Sequence, residues 1–361
     1  MPCSVRLRSP RILLAAAALL AAALPAAPQA GAGANRKGGE QGAGGPLLVR
    51  GERGGSFTRA DIEGLDTLNP VTTRSRSVSG VLGLVFEGLL SRHPVTGMLQ
   101  GGVARGYRVA GGGHSLVFDL ERDLRFSDGE PCTAEDVLFT FNEIYLNPET
   151  DTRRNEVLRL RDSLVTLHRV DRHTVRMDLP VPYRPILSAL VSLPVLPSHL
   201  LRPLIEQEGI RAFNTRWGSP EEGVSGLVGT GPYRLAELVP GDRLRLTRNP
   251  HYGRREGSLY LEGVPYLEEI VELLDLDRDT RLLMFQVGEL DFYEADDLDV
   301  AQGGMESLAR NAEEGGYLLV DGGQSLRSNH FVSFNLKPGA VAGELGRVFG
   351  DLRFRQAVSL L

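Results

Sequence analysis

The sequence predicts an α/β protein that is exported from the cell. Three observations support this: a signal-like N-terminus, segments with both strand and helix periodicity, and a length of 361 residues. About 300 residues follow the N-terminal leader, which is the usual size of two domains. The formal net charge of −6 and the sequence pI of about 5.7 give no basic face for a nucleic acid, and they predict no nucleic-acid partner.

The N-terminus has the order of a secretory signal peptide. Arg6, Arg8 and Arg11 precede an apolar run over residues 12–24, and two Ala-Gly-Ala sequences follow. The run is shorter than the roughly 20 apolar residues of a transmembrane anchor, which is the alternative interpretation. We therefore predict a cleaved signal peptide over residues 1–32.

The next segment and the cysteine content narrow the possible kinds of protein further. Residues 33–55 are rich in glycine and predict a flexible leader. Beyond the signal peptide only Cys132 remains, so an internal disulfide and a thiolate metal site are excluded. We interpret Cys132 as a small buried residue rather than a reactive thiol.

The first part of the mature chain alternates between strand and helix signals. Residues 56–62 alternate in polarity and predict a strand, and Asn69-Pro70 predicts a turn. Apolar residues at helical spacing predict a helix over 78–90. Further on, Thr133 precedes Glu135 and Asp136 in the order of a helix N-cap.

The remaining elements follow from the same two periodicities. We predict strands over 115–120, 231–235, 243–247, 270–276 and 331–336, a hairpin of 164–170 with 173–179, and helices over 279–287 and 354–361.

Motifs that carry catalysis are absent from the sequence. It has no G-x-S-x-G, H-E-x-x-H, G-x-x-x-x-G-K-[S/T] or strand-linked G-x-G-x-x-G motif. The histidines are scattered singly, without metal-ligand spacing. Adjacent acids at 135–136 and 296–297 point apart on a helix or strand, so neither is an acid/base pair. The sequence therefore predicts a binding protein without cofactor or metal, and an exported α/β hydrolase is the alternative.

Several segments resemble the extracytoplasmic solute-binding proteins of peptide- and nickel-type ABC importers, family 5. The most specific segment is F-S-D-G-E-P-C-T-A-E-D-V over residues 126–137. The other matching segments, in chain order, are L-N-P at 68–70, V-F-E-G-L-L at 85–90, G-T-G-P-Y at 229–233, R-N-P-H-Y at 248–252, G-E-L-D at 288–291 and D-L-R-F-R-Q-A at 351–357. Tyr107 and Gly253 stand where the family usually has tryptophan, and a glycine-rich stretch replaces the link before Asp351.

The resemblance implies a two-lobed periplasmic-binding-protein type II fold with an extra small strand-rich domain. Lobe I would comprise residues 56–90 and 180–291, and the inserted domain residues 91–179. Lobe II would begin at 292 and be cut short at 361, leaving apolar surface near Phe354, Val358 and Leu361. Lobes of this kind close on a ligand by hinge motion.

The resemblance also implies the function and the partners. The chain would be a monomer that captures di- or oligopeptides in the periplasm and passes them to a membrane permease with ATPase subunits. A nickel or haem carrier is the alternative within the family. The segment after the L-N-P turn would line the cleft, together with the G-T-G-P-Y segment. The predicted ligand-binding residues are Thr73, Arg74, Ser75, Arg76, Thr230 and Gly231.

Overall fold

The computed structural model describes residues 2–6, 52–93, 97–252, 264–295 and 304–321. Its strands are β1 (Pro2–Arg6), β2 (Ser56–Ile62), β3 (Leu90–Arg92), β4 (Leu99–Gly101), β5 (Ala104–Ala110), β6 (Ser115–Leu120), β7 (Arg159–Leu160), β8 (Ser163–Leu164), β9 (Thr166–Asp171), β10 (Thr174–Asp178), β11 (Tyr233–Val239), β12 (Arg243–Arg248), β13 (Glu269–Leu274), β14 (Phe292–Glu294) and β15 (Tyr317–Asp321). Its α-helices are α1 (Arg76–Leu82), α2 (Ala134–Leu138), α3 (Ile186–Ala189), α4 (Ser198–Glu208), α5 (Ile210–Thr215), α6 (Arg278–Val287) and α7 (Gly304–Gly315).

Some predicted features lie outside the described residues. These are the apolar run at 12–24, the leader up to residue 51, the acids at 296–297, Gly253, the strand at 331–336, and the helix at 354–361 with its expected exposed apolar side chains.

One four-stranded sheet joins β2 to strands from a later part of the chain, in the order β11-β12-β13-β2. Strands β11, β12 and β13 pair antiparallel, whereas β13 pairs with β2 in parallel. The predicted strand at 56–62 is confirmed, and the strands predicted at 231–235 and 243–247 correspond to the antiparallel pair β11 and β12. This sheet brings Phe57 and Ile270 side by side in the core, at 2% and 0% exposure.

A second four-stranded sheet is antiparallel throughout, in the order β5-β6-β10-β9. All its strands fall between Ala104 and Asp178, inside the range expected for the strand-rich insertion. The hairpin of β9 and β10 is confirmed, although β9 begins two residues later than predicted. The exact domain boundaries stay a prediction.

The third sheet places the N-terminal strand β1 between β14 and β15. Strand β1 pairs antiparallel with both neighbours, so β14 and β15 run in the same direction. Residues of the predicted signal peptide therefore take part in this sheet in the chain as described.

The predicted helix over residues 78–90 is wrong in its length. Helix α1 ends at Leu82, and Gly83 caps it through backbone hydrogen bonds to Ser79 and Val81. The following backbone instead hydrogen-bonds to a distant segment, with Val85 O accepting from Gly231 N at 2.8 Å. Because these tertiary bonds use groups that a longer helix would need internally, the helix stops early.

The predicted cap at Thr133 is confirmed. Its side chain accepts from the amide of Glu135, and the Asp136 carboxylate accepts from the amide of Thr133, which is a reciprocal capping box. Asp136 also accepts from the amide and hydroxyl of Ser198 at 3.1 and 2.7 Å. One buried carboxylate therefore joins the first turns of α2 and α4.

The predicted end of α6 is confirmed by its geometry. Gly288 adopts a left-handed conformation with φ of 88°, as a glycine after a helix does. Cys132 is 1% exposed, which confirms that it is a buried residue.

Candidate functional site

The turn before α1 is held by one carboxylate and one amide side chain. Asp66 accepts hydrogen bonds from the Thr73 hydroxyl at 2.9 Å and from the Arg74 amide at 3.0 Å. Asn69 is fully buried, donates to Phe213 O at 2.9 Å and accepts from Val71 N at 2.9 Å. The L-N-P segment is therefore a fixed platform for the residues that follow it.

The four predicted ligand residues of this segment occupy different environments. Thr73 is 6% exposed, with its hydroxyl bound to Asp66. Ser75 is the N-cap of α1 and accepts from the amide of Val78 at 3.3 Å. Arg74 and Arg76 are both exposed. A ligand that binds to this segment can therefore contact the guanidinium groups of Arg74 and Arg76 directly.

The two arginines differ in their partners. Arg74 lies 3.2 Å from the Asp151 carboxylate, in a pair whose side chains are 71% and 66% exposed. Arg76 has no hydrogen bond or ion pair with any residue the structure describes. An exposed ion pair contributes at most about 1 kcal/mol, so Asp151 is a weak competitor for Arg74.

The chain itself packs closely against Gly231, the last of the predicted ligand-binding residues. A Cβ at this position would lie 2.5 Å from Leu84 O and 2.7 Å from Val85 O, so the close approach is made by the chain itself. Asn249 fixes the segment further by donating to Gly231 O at 2.8 Å. Thr230 is 0% exposed, and its buried hydroxyl has no hydrogen-bond partner in the structure.

A group of charged side chains lies on strands β2, β13 and β14. Arg59 pairs with the fully buried Glu272 at 2.6 Å and with Asp61 at 3.4 Å. Burial raises the pKa of Glu272, and the charge of Arg59 opposes this shift. Partial desolvation and the charge of Asp61 raise the pKa of Glu294, whereas Arg76 opposes the rise. Glu294 is thus an acid within electrostatic range of Arg76.

Sequence reasoning missed Asp66 and Asp151 as partners of the predicted site. Asp66 could have been found, because an Asp at the start of a turn accepts bonds from the backbone that follows. Asp151 lies 77 positions from Arg74 in the chain, and nothing in the local sequence links them.

Comparison with known proteins gives the class and then the family. The described sheets and helices match periplasmic binding proteins of mixed α/β type. The oligopeptide-binding protein AppA of Bacillus subtilis, solved with a nonapeptide, superposes with a TM-score of 0.56 at 18% identity, covering 70% of this chain and 46% of that one. Residues 99–361 match the family model of bacterial extracellular solute-binding proteins, family 5. The chain belongs to this family.

Two curated relatives agree with this assignment. A probable ABC transporter-binding protein of Deinococcus radiodurans is 26% identical over 317 residues, which are 86% of this chain and 51% of the relative. A putative ABC transporter peptide-binding protein of Brucella ovis is 25% identical over 273 residues, 75% of this chain and 44% of the relative. The chain therefore spans about half the length of these relatives. At these identities the kind of ligand stays open.

Helices able to span a membrane are absent from the part of the chain that the structure describes.

Proposed function

We propose that this protein captures di- or oligopeptides outside the inner membrane and delivers them to an ABC permease with its ATPase subunits. The observation that carries the proposal is the match to solute-binding family 5 over residues 99–361. The peptide-binding description of the Brucella relative and the nonapeptide in AppA favour peptides as the ligand class. In this proposal the protein has no catalytic role and acts as a monomer.

We place the ligand against the segment that leads into α1. Arg74 and Arg76 make direct contact with the peptide carboxylate through charge-assisted hydrogen bonds. Thr73 and Ser75 hold the segment in shape through Asp66 and the N-cap of α1. Thr230 and Gly231, which are buried in the described structure, support the site from beneath.

The experiment is calorimetric titration of the exported protein with a carboxylate-bearing peptide and with the same peptide as its amide. The unmodified protein should prefer the carboxylate. Arg76→Gln should lose about 1.5–3 kcal/mol of binding free energy, the range for a hydrogen bond to a charged group. Arg74→Gln should lose less, because its guanidinium leaves an existing pair with Asp151 in order to bind.

Two further variants sharpen the same experiment. Arg108→Gln removes an exposed arginine on β5 and serves as the matched control, with unchanged affinity expected. Glu294→Gln should tighten carboxylate binding, because it removes a negative charge within electrostatic range of Arg76. Equal affinities for carboxylate and amide in the unmodified protein would remove the arginine–carboxylate contact.

A nickel or haem carrier is the second candidate within the family. Across the described residues, no cluster of three or more His, Cys, Asp or Glu side chains is placed to hold a metal ion. The same titration with nickel in place of peptide separates the two candidates. A hydrolase, the candidate from another class, would instead release product from the peptide during the titration.

We also propose that the chain reaches the periplasm through a cleavable signal peptide over residues 1–32, followed by the leader at 33–55. N-terminal sequencing of the exported protein should begin near residue 33, because the Ala-Gly-Ala sequences end there. An exported protein that still begins at Met1 would contradict this.

A further inference from the structure

A groove lies on the surface between the β7–β8 hairpin and the proline-rich segment that follows β10. Its larger part has a volume of about 660 Å³ and is lined by Arg159, Arg161, His114, Pro182 and Tyr183, among others. A second cavity of about 280 Å³ shares Arg159 and Tyr183 with the first. The two cavities adjoin, because Leu160 lines both as well. None of its lining residues belongs to the ligand segment before α1.

The charge of the larger cavity opposes the charge of the whole protein. The chain carries a formal net charge of −6, yet Arg159, Arg161 and His114 line this cavity and no carboxylate does. Within the described ranges, neither guanidinium has an ion-pair or hydrogen-bond partner. Unpaired arginines beside an exposed tyrosine are the side chains that most often anchor protein interfaces.

The backbone at Arg161 holds its side chain at the groove at an energetic cost. The register of β7 with β8 leaves Arg161 and Asp162 as a two-residue loop. Both have left-handed conformations, with φ of 47° and 61°. Such loops favour Asn and Gly, since a side chain with Cβ is strained there. An arginine at this strained position is consistent with a use for its charge.

Apolar surface accompanies the two arginines. Tyr183 is 42% exposed, and Val157 in the second cavity is 39% exposed. Glu156 also lines the second cavity, so the positive charge is concentrated in the larger one, beside the two partly exposed apolar side chains.

We propose that this groove, formed by Arg159, Arg161, His114 and Tyr183, docks an acidic, extended segment of a partner protein. Two adjoining open cavities suit a segment that crosses both better than a small molecule, which usually sits in an enclosed cavity. Carboxylates of the segment pair with the two free guanidinium groups, and its apolar side chains pack on Tyr183 and Val157. The interaction is separate from ligand capture at Arg74 and Arg76.

The test is fluorescence anisotropy of a labelled probe peptide of alternating Glu and Leu with an amidated carboxyl terminus, titrated with the exported protein; amidation keeps the probe out of the ligand site at Arg74 and Arg76. A matched probe of Gln and Leu is the charge control. The Glu probe should bind, and the Gln probe should bind at least about 10-fold more weakly. Arg159→Gln and Arg161→Asn should each weaken the Glu probe about 10-fold. Arg169→Gln, an exposed arginine on β9, should leave it unchanged.

The Arg161→Asn variant keeps the test independent of folding. Asn tolerates the left-handed conformation better than Arg does. The variant should therefore melt at the same or a higher temperature and still bind the Glu probe more weakly. Equal binding of the Glu and Gln probes, or unchanged binding by Arg159→Gln and Arg161→Asn, would overturn the proposal. So would an equal loss in Arg76→Gln, because the probe would then occupy the ligand site.

Discussion

The carboxylate of Asp136 should be among the most important single side chains for the stability of the described structure. It is 4% exposed and accepts from Thr133 N at 2.8 Å, Ser198 N at 3.1 Å and the Ser198 hydroxyl at 2.7 Å. Asp136→Ala leaves two amides at helix starts without a partner in a buried place. Each hydrogen bond to a charged group contributes about 1.5–3 kcal/mol, and such contributions are not additive.

We expect Asp136→Ala to lower the free energy of unfolding by about 3–5 kcal/mol, and Asp136→Asn by about half as much, because one acceptor oxygen remains. Urea denaturation followed by circular dichroism measures both. Glu135→Ala is the matched control, since this neighbouring acid pairs only with Arg202 and is 46% exposed. Glu135→Ala should lower the free energy of unfolding by less than about 1 kcal/mol. If Glu135→Ala costs as much as Asp136→Ala, the account of the capping box is wrong.

Three further predictions concern stability. Thr133→Ala should cost about 1 kcal/mol with unchanged peptide affinity, because its hydroxyl acts only as an N-cap; a loss of affinity at an unchanged melting temperature would argue for a chemical role. Gly231→Ala should lower the free energy of unfolding by about 3 kcal/mol, since its Cβ would lie 2.5 Å from the Leu84 carbonyl oxygen. Gly80→Ala in helix α1, where a Cβ meets no atom within 4 Å, should raise it by about 0.5–1 kcal/mol in the same urea denaturation assay. Hydrogen bonds from Thr280 lower the pKa of Asp277 in the folded protein. The Asp277 carboxylate therefore contributes its full stabilisation above the unfolded pKa, and this is lost as the pH falls through the folded pKa. Asp277→Asn, which still caps α6, should show a smaller fall in melting temperature between about pH 6 and pH 3 than the unmodified protein.

Local signals predicted much of the fold. The strand at residues 56–62, the hairpin of β9 and β10, the cap at Thr133 and the glycine end of α6 depend on periodicity and capping within a few residues. Helix α1 was predicted too long because tertiary hydrogen bonds at Val85 end it. Helix α4 was missed because Pro203 lies inside it, and proline usually indicates a break.

The candidate site was predicted less completely than the fold. Resemblance pointed to the segment at 73–76, but the exposure of Arg76 and the pairing of Arg74 with Asp151 depend on chain segments far apart in sequence. The burial of Thr230 is likewise a result of packing against the residues after α1. No local pattern contains that information.

We propose that this family 5 protein binds peptides. Calorimetric titration of the protein with a mixture of short peptides, and separately with nickel, tests this most directly. We expect saturable heat from the peptides that is lost when their carboxyl groups are amidated, and no saturable heat from nickel. Saturable binding of nickel without any from the peptides would contradict it.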